Sequence, residues 1–163
     1  MINLKIFICL LLLFPVTVTR GITISGGFDR TAFYNVLAAN DMDAINSQIS
    51  VIKASSINEK EAYEGALLMK KAGLVTRAKE KLSLFKTGRL KLEAAIKKDK
   101  ENAEFSFLRL IIQEHAPKMV DYRNNIENDA AAIRSRFNTL PQAVQQAITD
   151  YSKRSRVLKL QQH

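Results

Sequence analysis

The sequence predicts an all-α domain of about seven helices, and two observations lead to that prediction. Apolar residues recur every three or four positions along most of residues 29–152, which is the spacing of one face of a helix. No stretch in that range alternates apolar and polar residues long enough to indicate a half-buried strand. Because the connections are short, we expect the helices to pack as consecutive antiparallel hairpins.

The most apolar helix is predicted from Phe105 to His115, and Pro117 ends it. Apolar side chains cover most of its circumference and leave a narrow polar wedge of Ser106, Arg109 and Gln113. A helix that is apolar on nearly all sides belongs in an interior. We therefore expect the other helices to pack around this one.

Capping residues predict where the first four helices begin and end. Asp29 and Asp41 are good N-caps for helices one and two, and Asn40 suits the left-handed end of helix one. A capping box of Ser56 and Glu59 opens helix three. Its end is predicted at Ala72, with Gly73 just beyond, and helix four is predicted from Thr76 to Lys98 across Gly88.

The last third of the domain follows the same pattern. A polar turn at residues 99–103 precedes the central helix, and a sixth helix is predicted from about Asp121. Thr139 is expected to cap a seventh helix that has Pro141 in its first turn. Residues 153–163 are basic and polar, so we expect a frayed or lightly docked tail.

The first 21 residues have the layout of a secretory signal peptide. Lys5 precedes an apolar run at residues 6–18, which is shorter than the roughly 20 residues that span a bilayer. Cleavage after Gly21 would leave a flexible lead-in at residues 22–28 and a helical domain at residues 29–152. We therefore expect an exported protein that works in the periplasm or outside the cell.

Charge and cysteine content narrow the possible functions. Cleavage after Gly21 would leave 142 of the 163 residues, remove Lys5 and Arg20, and lower the formal net charge from +9 to +7. It would also remove Cys9, the one cysteine, and with it thiol catalysis and cysteine-ligated metal sites. The remaining positive charge favours anionic partners.

One segment, residues 91–109, resembles the junction between two tetratricopeptide repeats. In that family an Ala-Ile-type pair ends the second helix of a repeat before an Asp-Pro-x-Asn turn. The matching positions here are Ala95, Ile96, Asp99 and Asn102. Lys100 stands at the usual proline position. The resemblance spans roughly one repeat junction and implies a right-handed, tetratricopeptide-like array.

The whole chain is also similar to small exported all-helical proteins of Gram-negative bacteria. The stretches that carry this similarity are Glu64–Gly73 and Phe107–Pro117. That group has no assigned activity. The similarity therefore implies a fold and a compartment, and no catalytic residues.

Two arginines are candidate binding residues. Arg89 lies between Phe85 and Leu92 on the predicted apolar stripe of helix four, so we expect it to be buried with an acidic partner or a bound anion. Arg109 on helix five would likewise need an acidic partner or a bound anion. One interpretation is a salt-bridge network joining helices three, four and five, for which the candidate partners are Glu64, Glu93 and Glu114. The other is a pocket in which both arginines hold a carboxylate or phosphate.

The end of the central helix carries the remaining candidates, Gln113, Glu114 and His115. His115 can bind the last carbonyls of its helix, or it can form an acid–base or metal pair with Glu114. Adjacent helical residues point about 100° apart, which disfavours a shared ligand. The second histidine, His163, is at the end of the chain. We predict no catalytic residue, metal or cofactor.

The favoured function is a non-catalytic, exported interaction or scaffold module with an unidentified protein partner. Basic residues between Lys70 and Lys98 make an anionic membrane or glycan surface a second possible partner. Aromatic residues are not interleaved with them on the exposed side, so we do not expect nucleic-acid binding. The alternative function is a binder or hydrolase of a small anionic ligand held by Arg89 and Arg109, with Glu114 or His115 as acid or base.

Overall fold

The computed structural model describes residues 27–160, which fold into seven α-helices without a strand. The predicted signal peptide and most of the lead-in lie outside the described residues. The helices are α1 (Arg30–Ala38), α2 (Met42–Ala54), α3 (Lys60–Leu74), α4 (Ala78–Lys98), α5 (Ala103–His115), α6 (Ile126–Arg136) and α7 (Gln142–Ser152). Short 3-10 turns at Lys118–Val120 and Phe137–Thr139 flank α6. The all-α prediction and its helix count are confirmed.

Sequential helices from α1 to α6 pack on each other, and the odd-numbered helices also form contacts of their own. The α3–α4 and α5–α6 pairs share the most extensive contacts, α3 also packs on α1 and α5, and α1 packs on α7. The α3–α4 pair is antiparallel, because Gly65 lies against Leu92 while Met69 lies against Gly88. A tetratricopeptide-like arrangement of the whole domain stays a prediction.

None of the helices within residues 27–160 is long and apolar enough to cross a bilayer.

The central helix, α5, is buried as predicted. Phe107, Leu108 and Leu110 are fully inaccessible to solvent, and the polar residues Ser106 and Gln113 are buried beside them. Helices α3, α4 and α6 all contact α5, and the ring of Phe107 packs against Tyr34 of α1 and Tyr151 of α7. A helix with apolar side chains on nearly every face can bury them only if it is surrounded in this way.

Helices α3 and α4 approach each other closely at Gly65 and Gly88. A Cβ atom on Gly65 would lie 2.7 Å from the Gly88 carbonyl oxygen, and a Cβ on Gly88 would lie 2.5 Å from the Gly65 carbonyl oxygen. Side chains at either position would hold the two backbones apart. The glycine that interrupts the helical pattern of α4 is therefore a packing residue.

The two predicted aspartate N-caps are confirmed, since the Asp29 carboxylate accepts a hydrogen bond from the Thr31 amide and Asp41 caps α2. Asn102 caps α5, which was not predicted. The capping box of Ser56 and Glu59 is wrong, because α3 begins at Lys60 and Glu59 makes no side-chain capping bond.

Other predicted helix ends shift by a few residues. Neither Asn40 nor Gly73 is left-handed, since Asp121 is the one residue of the described chain with positive φ. That conformation ends a 3-10 turn at Asp121, so α6 begins later than predicted. Helix α4 begins at Ala78 rather than Thr76. The Thr139 hydroxyl donates to the Arg136 carbonyl and does not cap α7.

The segment after α7 is docked on the domain as far as the structure describes it. Leu158 is fully buried. The Glu114 carboxylate accepts hydrogen bonds from the Ser155 hydroxyl at 2.7 Å and from the Arg156 amide at 2.9 Å. The expectation of a frayed or lightly docked end is therefore wrong for residues 153–160. Glu114 and Leu158 hold this segment in place.

Candidate functional site

Arg109 is enclosed by carboxylates from two neighbouring helices. Its Nε and Nη2 atoms donate to the two oxygens of Asp129 on α6 at 2.8 and 2.7 Å, and its Nη1 donates to Glu93 on α4 at 3.0 Å. The other oxygen of Glu93 accepts from the Tyr122 hydroxyl. Arg109 is therefore part of an ion-pair network that fixes α5 against α4 and α6.

Burial and charge act against each other in this network. Burial acts to lower the pKa of Arg109, but the hydrogen bonds and negative charge of Asp129 outweigh it and raise that pKa. The Asp129 side chain is only 2% exposed and that of Arg109 12% exposed. The Asp129 and Glu93 carboxylates thus occupy positions at which an anionic ligand would have to bind.

Arg89 is exposed, and the prediction that it is buried is wrong. The face of α4 that packs on the core follows Phe85, Gly88, Leu92 and Ala95, which places Arg89 about 100° away from Gly88. Its guanidinium lies over the Tyr122 ring, 4.8 Å from the ring centroid. Tyr122 and Glu93 therefore connect Arg89 to Arg109, but the two arginines do not share a cavity among those described below.

Glu64 belongs to a separate network. It is 6% exposed and pairs with Lys53 of α2 at 3.5 Å and Lys91 of α4 at 3.2 Å. Lys91 also pairs with Glu61 at 2.7 Å. The described residues therefore contain no ion pair between Glu64 and either arginine. Glu93, another predicted partner, does pair with Arg109.

The three candidates at the end of α5 point in different directions. The His115 Nδ1 lies 2.8 Å from the Ile111 carbonyl oxygen, one helical turn earlier, so its contact with the last helical carbonyls is confirmed. Glu114 caps the segment after α7 and does not meet His115. Gln113 is fully buried, and neither of its amide atoms has a hydrogen-bond partner within residues 27–160. The geometry brings no acid–base pair together here.

A buried carboxylate that was not predicted lies at the opposite end of α5. Glu104 is 4% exposed, and its Oε1 accepts from the hydroxyls of Tyr63 at 2.6 Å and Tyr34 at 3.0 Å. Its Oε2 accepts from Arg30 Nε at 3.3 Å. The one sequence signal for it is its place two residues after the N-cap Asn102, where the helix dipole favours negative charge.

Alkaline pH is expected to unfold the domain as its tyrosines ionise. Burial raises the pKa of all four tyrosines, and a neighbouring glutamate adds to the effect for each: Tyr34, Tyr63, Tyr122 and Tyr151. Since the folded pKa values exceed the unfolded value, the stabilising contribution is complete below about pH 10 and is lost as the pH rises above it. Each tyrosine would contribute a slope of about 1.4 kcal/mol per pH unit.

The measurement is a parallel titration of tyrosinate absorbance and circular dichroism. Ionisation should coincide with loss of helicity. Tyrosines that titrate near pH 10 while the helices stay intact would contradict the prediction.

Two cavities lie beside the core. The smaller, of about 480 Å³, lies between α1, α5 and α7. The larger, of about 700 Å³, lies where α1, α3, α5 and α7 end and α4 begins, and we call it the apolar cleft. Its apolar lining residues include Leu37, Met69, Leu74, Phe85, Ile112 and Val120. Two more lining residues, Leu82 and Met119, are 49% and 90% exposed.

All charged side chains that line the apolar cleft are cationic. They are Lys70, Lys81 and Arg154, with His115 beside them, and no aspartate or glutamate within residues 27–160 lines the cleft. None of these three cations forms an ion pair with another described residue. Lys70 donates to the Asn40 side chain at 2.8 Å, and burial together with the positive charge of Arg154 lowers its pKa. Among the described residues, the cleft lining thus gathers like charges and no carboxylate, and Arg154 also lies over the Tyr151 ring, 5.2 Å from its centroid.

The described residues contain no group of three or more histidine, cysteine, aspartate or glutamate side chains that could hold a metal ion. The apolar cleft offers a ligand an apolar surface with positive charge beside it.

Comparisons of the chain with protein-family models, with curated proteins and with solved structures find no match.

Proposed function

We propose that the protein is a non-catalytic, exported binding module and that the apolar cleft is its binding site. The observation that carries the proposal is the cleft itself, which combines apolar walls, cationic side chains and an open mouth. Its volume of about 700 Å³ lies within the usual range for sites that enclose small ligands or side chains, roughly 300–1,000 Å³. The export signal and the compartment remain part of the proposal.

Exposed apolar side chains at the mouth support this assignment. Met119 and Leu82 both line this cavity, and both present much of their surface to solvent. Single exposed apolar residues are ordinary, but a contiguous apolar surface that leads into a cavity favours binding. A partner with an apolar part would cover both residues.

The alternative function, an anion pocket between Arg89 and Arg109, has less support. Asp129 and Glu93 already engage Arg109, and Arg89 stacks on Tyr122 at the surface. Neither arginine lines either cavity. An acid–base role for Glu114 or His115 lacks support as well, because each makes a hydrogen bond with its own structural partner.

The test uses a tryptophan as a reporter at the mouth, because the natural chain has none. In Leu82→Trp, the neutral apolar dye N-phenyl-1-naphthylamine should accept energy from the indole in a saturable manner. Leu90→Trp is the matched control, since Leu90 is an exposed leucine of the same helix that does not line the cleft. It should show little transfer.

A second pair of variants tests occupancy of the cleft. Ala38 and Ala78 are exposed residues of the lining, so Ala38→Phe and Ala78→Phe should weaken dye binding to Leu82→Trp without unfolding the domain. Transfer that is equal at positions 82 and 90, or that does not saturate, would overturn the proposal. Circular dichroism verifies that each variant is folded.

A further inference from the structure

The positions of the cations in the apolar cleft indicate the charge of its ligand. Positive charge near the carboxyl end of a helix is favoured by the helix dipole, which accounts in part for Lys70 near the end of α3 and for Arg154 just after α7. Lys81 is different, because it lies in the first turn of α4, where the dipole disfavours a cation. Helix ends alone therefore do not explain this set of charges.

Two of the charges, Lys70 and Arg154, are also close enough to act on each other. The positive charge of Arg154 contributes to the lowered pKa of Lys70, and no carboxylate in the cleft lining offsets either charge. Asp150 of α7 pairs with Lys153 at 2.7 Å and, like Arg154, lines the smaller cavity, but it does not line the apolar cleft. An anion placed among Lys70, Lys81 and Arg154 would relieve this repulsion.

We infer that the apolar cleft binds a single-chain anionic amphiphile, namely one acyl chain that ends in a carboxylate or a phosphate. The chain lies along the walls formed by α3, α4 and α5, and the head group lies among Lys70, Lys81 and Arg154. This inference rests on the proposed function and adds the chemical class of the ligand. One chain fits better than two, because about 700 Å³ lies within the usual range of sites for single small molecules.

The two parts of the ligand have separate tasks. The apolar walls supply affinity in proportion to the hydrocarbon surface removed from water. The cations supply selectivity, since charged groups near a surface discriminate between partners more than they increase affinity. Selectivity for the head group should therefore fall when the salt concentration rises, because exposed charges are screened.

The experiment is a displacement assay on the full mature chain carrying Leu82→Trp with bound N-phenyl-1-naphthylamine. Dodecanoate and dodecyl phosphate are compared with dodecanol and dodecyltrimethylammonium, the three charged compounds below their micelle concentrations and dodecanol below its solubility limit. The four share a chain length and differ in the head group. We expect both anions to displace the dye at concentrations about tenfold lower than dodecanol, from several charge contacts of modest strength each. The cation should be the weakest competitor.

Charge-removing variants then assign the head-group site. Lys81→Gln should reduce the preference for dodecanoate over dodecanol about threefold, as expected for one partly exposed charge. Lys86→Gln is the matched control, because Lys86 is an exposed lysine of the same helix outside the cleft and its loss changes the net charge equally. It should leave the preference unchanged. Lys70→Gln provides a second variant at the site.

The outcomes separate this inference from the proposed function. If the dye does not bind saturably, the proposed function itself fails. If the dye binds but dodecanol displaces it as well as dodecanoate does, the cleft is a site without charge selectivity and the inference is overturned. If no amphiphile displaces the dye, an apolar segment of a protein is the better occupant. Cosedimentation with intact vesicles of phosphatidylglycerol would instead indicate docking on a membrane surface and would also overturn it.

Discussion

Replacement of Gly65 by alanine is expected to destabilise the domain by about 3 kcal/mol, at the upper end of the usual cost of overpacking. The new Cβ would lie 2.7 Å from the Gly88 carbonyl oxygen and 2.8 Å from the Leu92 amide nitrogen. Both are backbone atoms, so no change of side-chain rotamer relieves the contact. Helices α3 and α4 would have to move apart where Gly65 faces Gly88 and Leu92. Urea denaturation monitored by circular dichroism measures the loss.

Gly73 supplies the matched control for this substitution. It is in the same helix, α3, and nothing lies within 4 Å of the place where its Cβ would be. Gly73→Ala should be neutral or should stabilise the domain by up to about 1 kcal/mol, because alanine favours the helix. Equal effects at Gly65 and Gly73 would show that helix propensity, and not the close approach to α4, determines the cost.

Replacement of Asp129 by alanine is expected to cost about 3–5 kcal/mol, which is typical when one partner of a buried ion pair is removed. Asp129 accepts two hydrogen bonds from Arg109, and their side chains are 2% and 12% exposed. After the substitution, the Arg109 guanidinium would retain Glu93 but lose its buried counter-charge. The free energy of unfolding in urea measures this cost.

The double variant Arg109→Met with Asp129→Leu separates an unpaired charge from the loss of a favourable bond. Replacement of a whole buried ion pair by apolar residues is often nearly neutral, so the double variant should be more stable than Asp129→Ala. Asp150→Ala is the surface control, since the Asp150–Lys153 pair is largely exposed and its loss should have little effect on stability. A double variant as unstable as the single one would show that the ion pair itself stabilises the fold.

The pattern of apolar residues predicts the helices well because helical periodicity is a local property. The central position of α5 follows from its nearly continuous apolar surface, and Asp29 and Asp41 cap helices because a short carboxylate can bond to amides two or three residues away. The capping box predicted at Ser56 does not form. Its sequence fits the motif, but α3 begins at Lys60, one residue after Glu59.

The candidate site is less predictable, because it depends on which helices meet. Arg109 was expected to need an acidic partner, and it has two, but Asp129 lies 20 residues away on α6 and no local pattern selects it. The prediction that Arg89 is buried is wrong because the face of α4 that contains Gly88 packs against α3. The role of Gly88 as a packing residue is visible only when α3 is placed against α4. The apolar cleft is formed by the ends of helices from the whole domain, so no single stretch of sequence contains its signal.

The contact between α1 and α7 makes formation of the binding site depend on a late step of folding. Contacts between distant parts of a chain close a long loop and tend to form later than those within a hairpin such as α3–α4. The apolar cleft includes Leu37 of α1 and Tyr151 of α7, so its walls are complete only when the two ends of the domain have met. Fraying of the first or last helix would therefore abolish a binding site while most of the helical structure persisted.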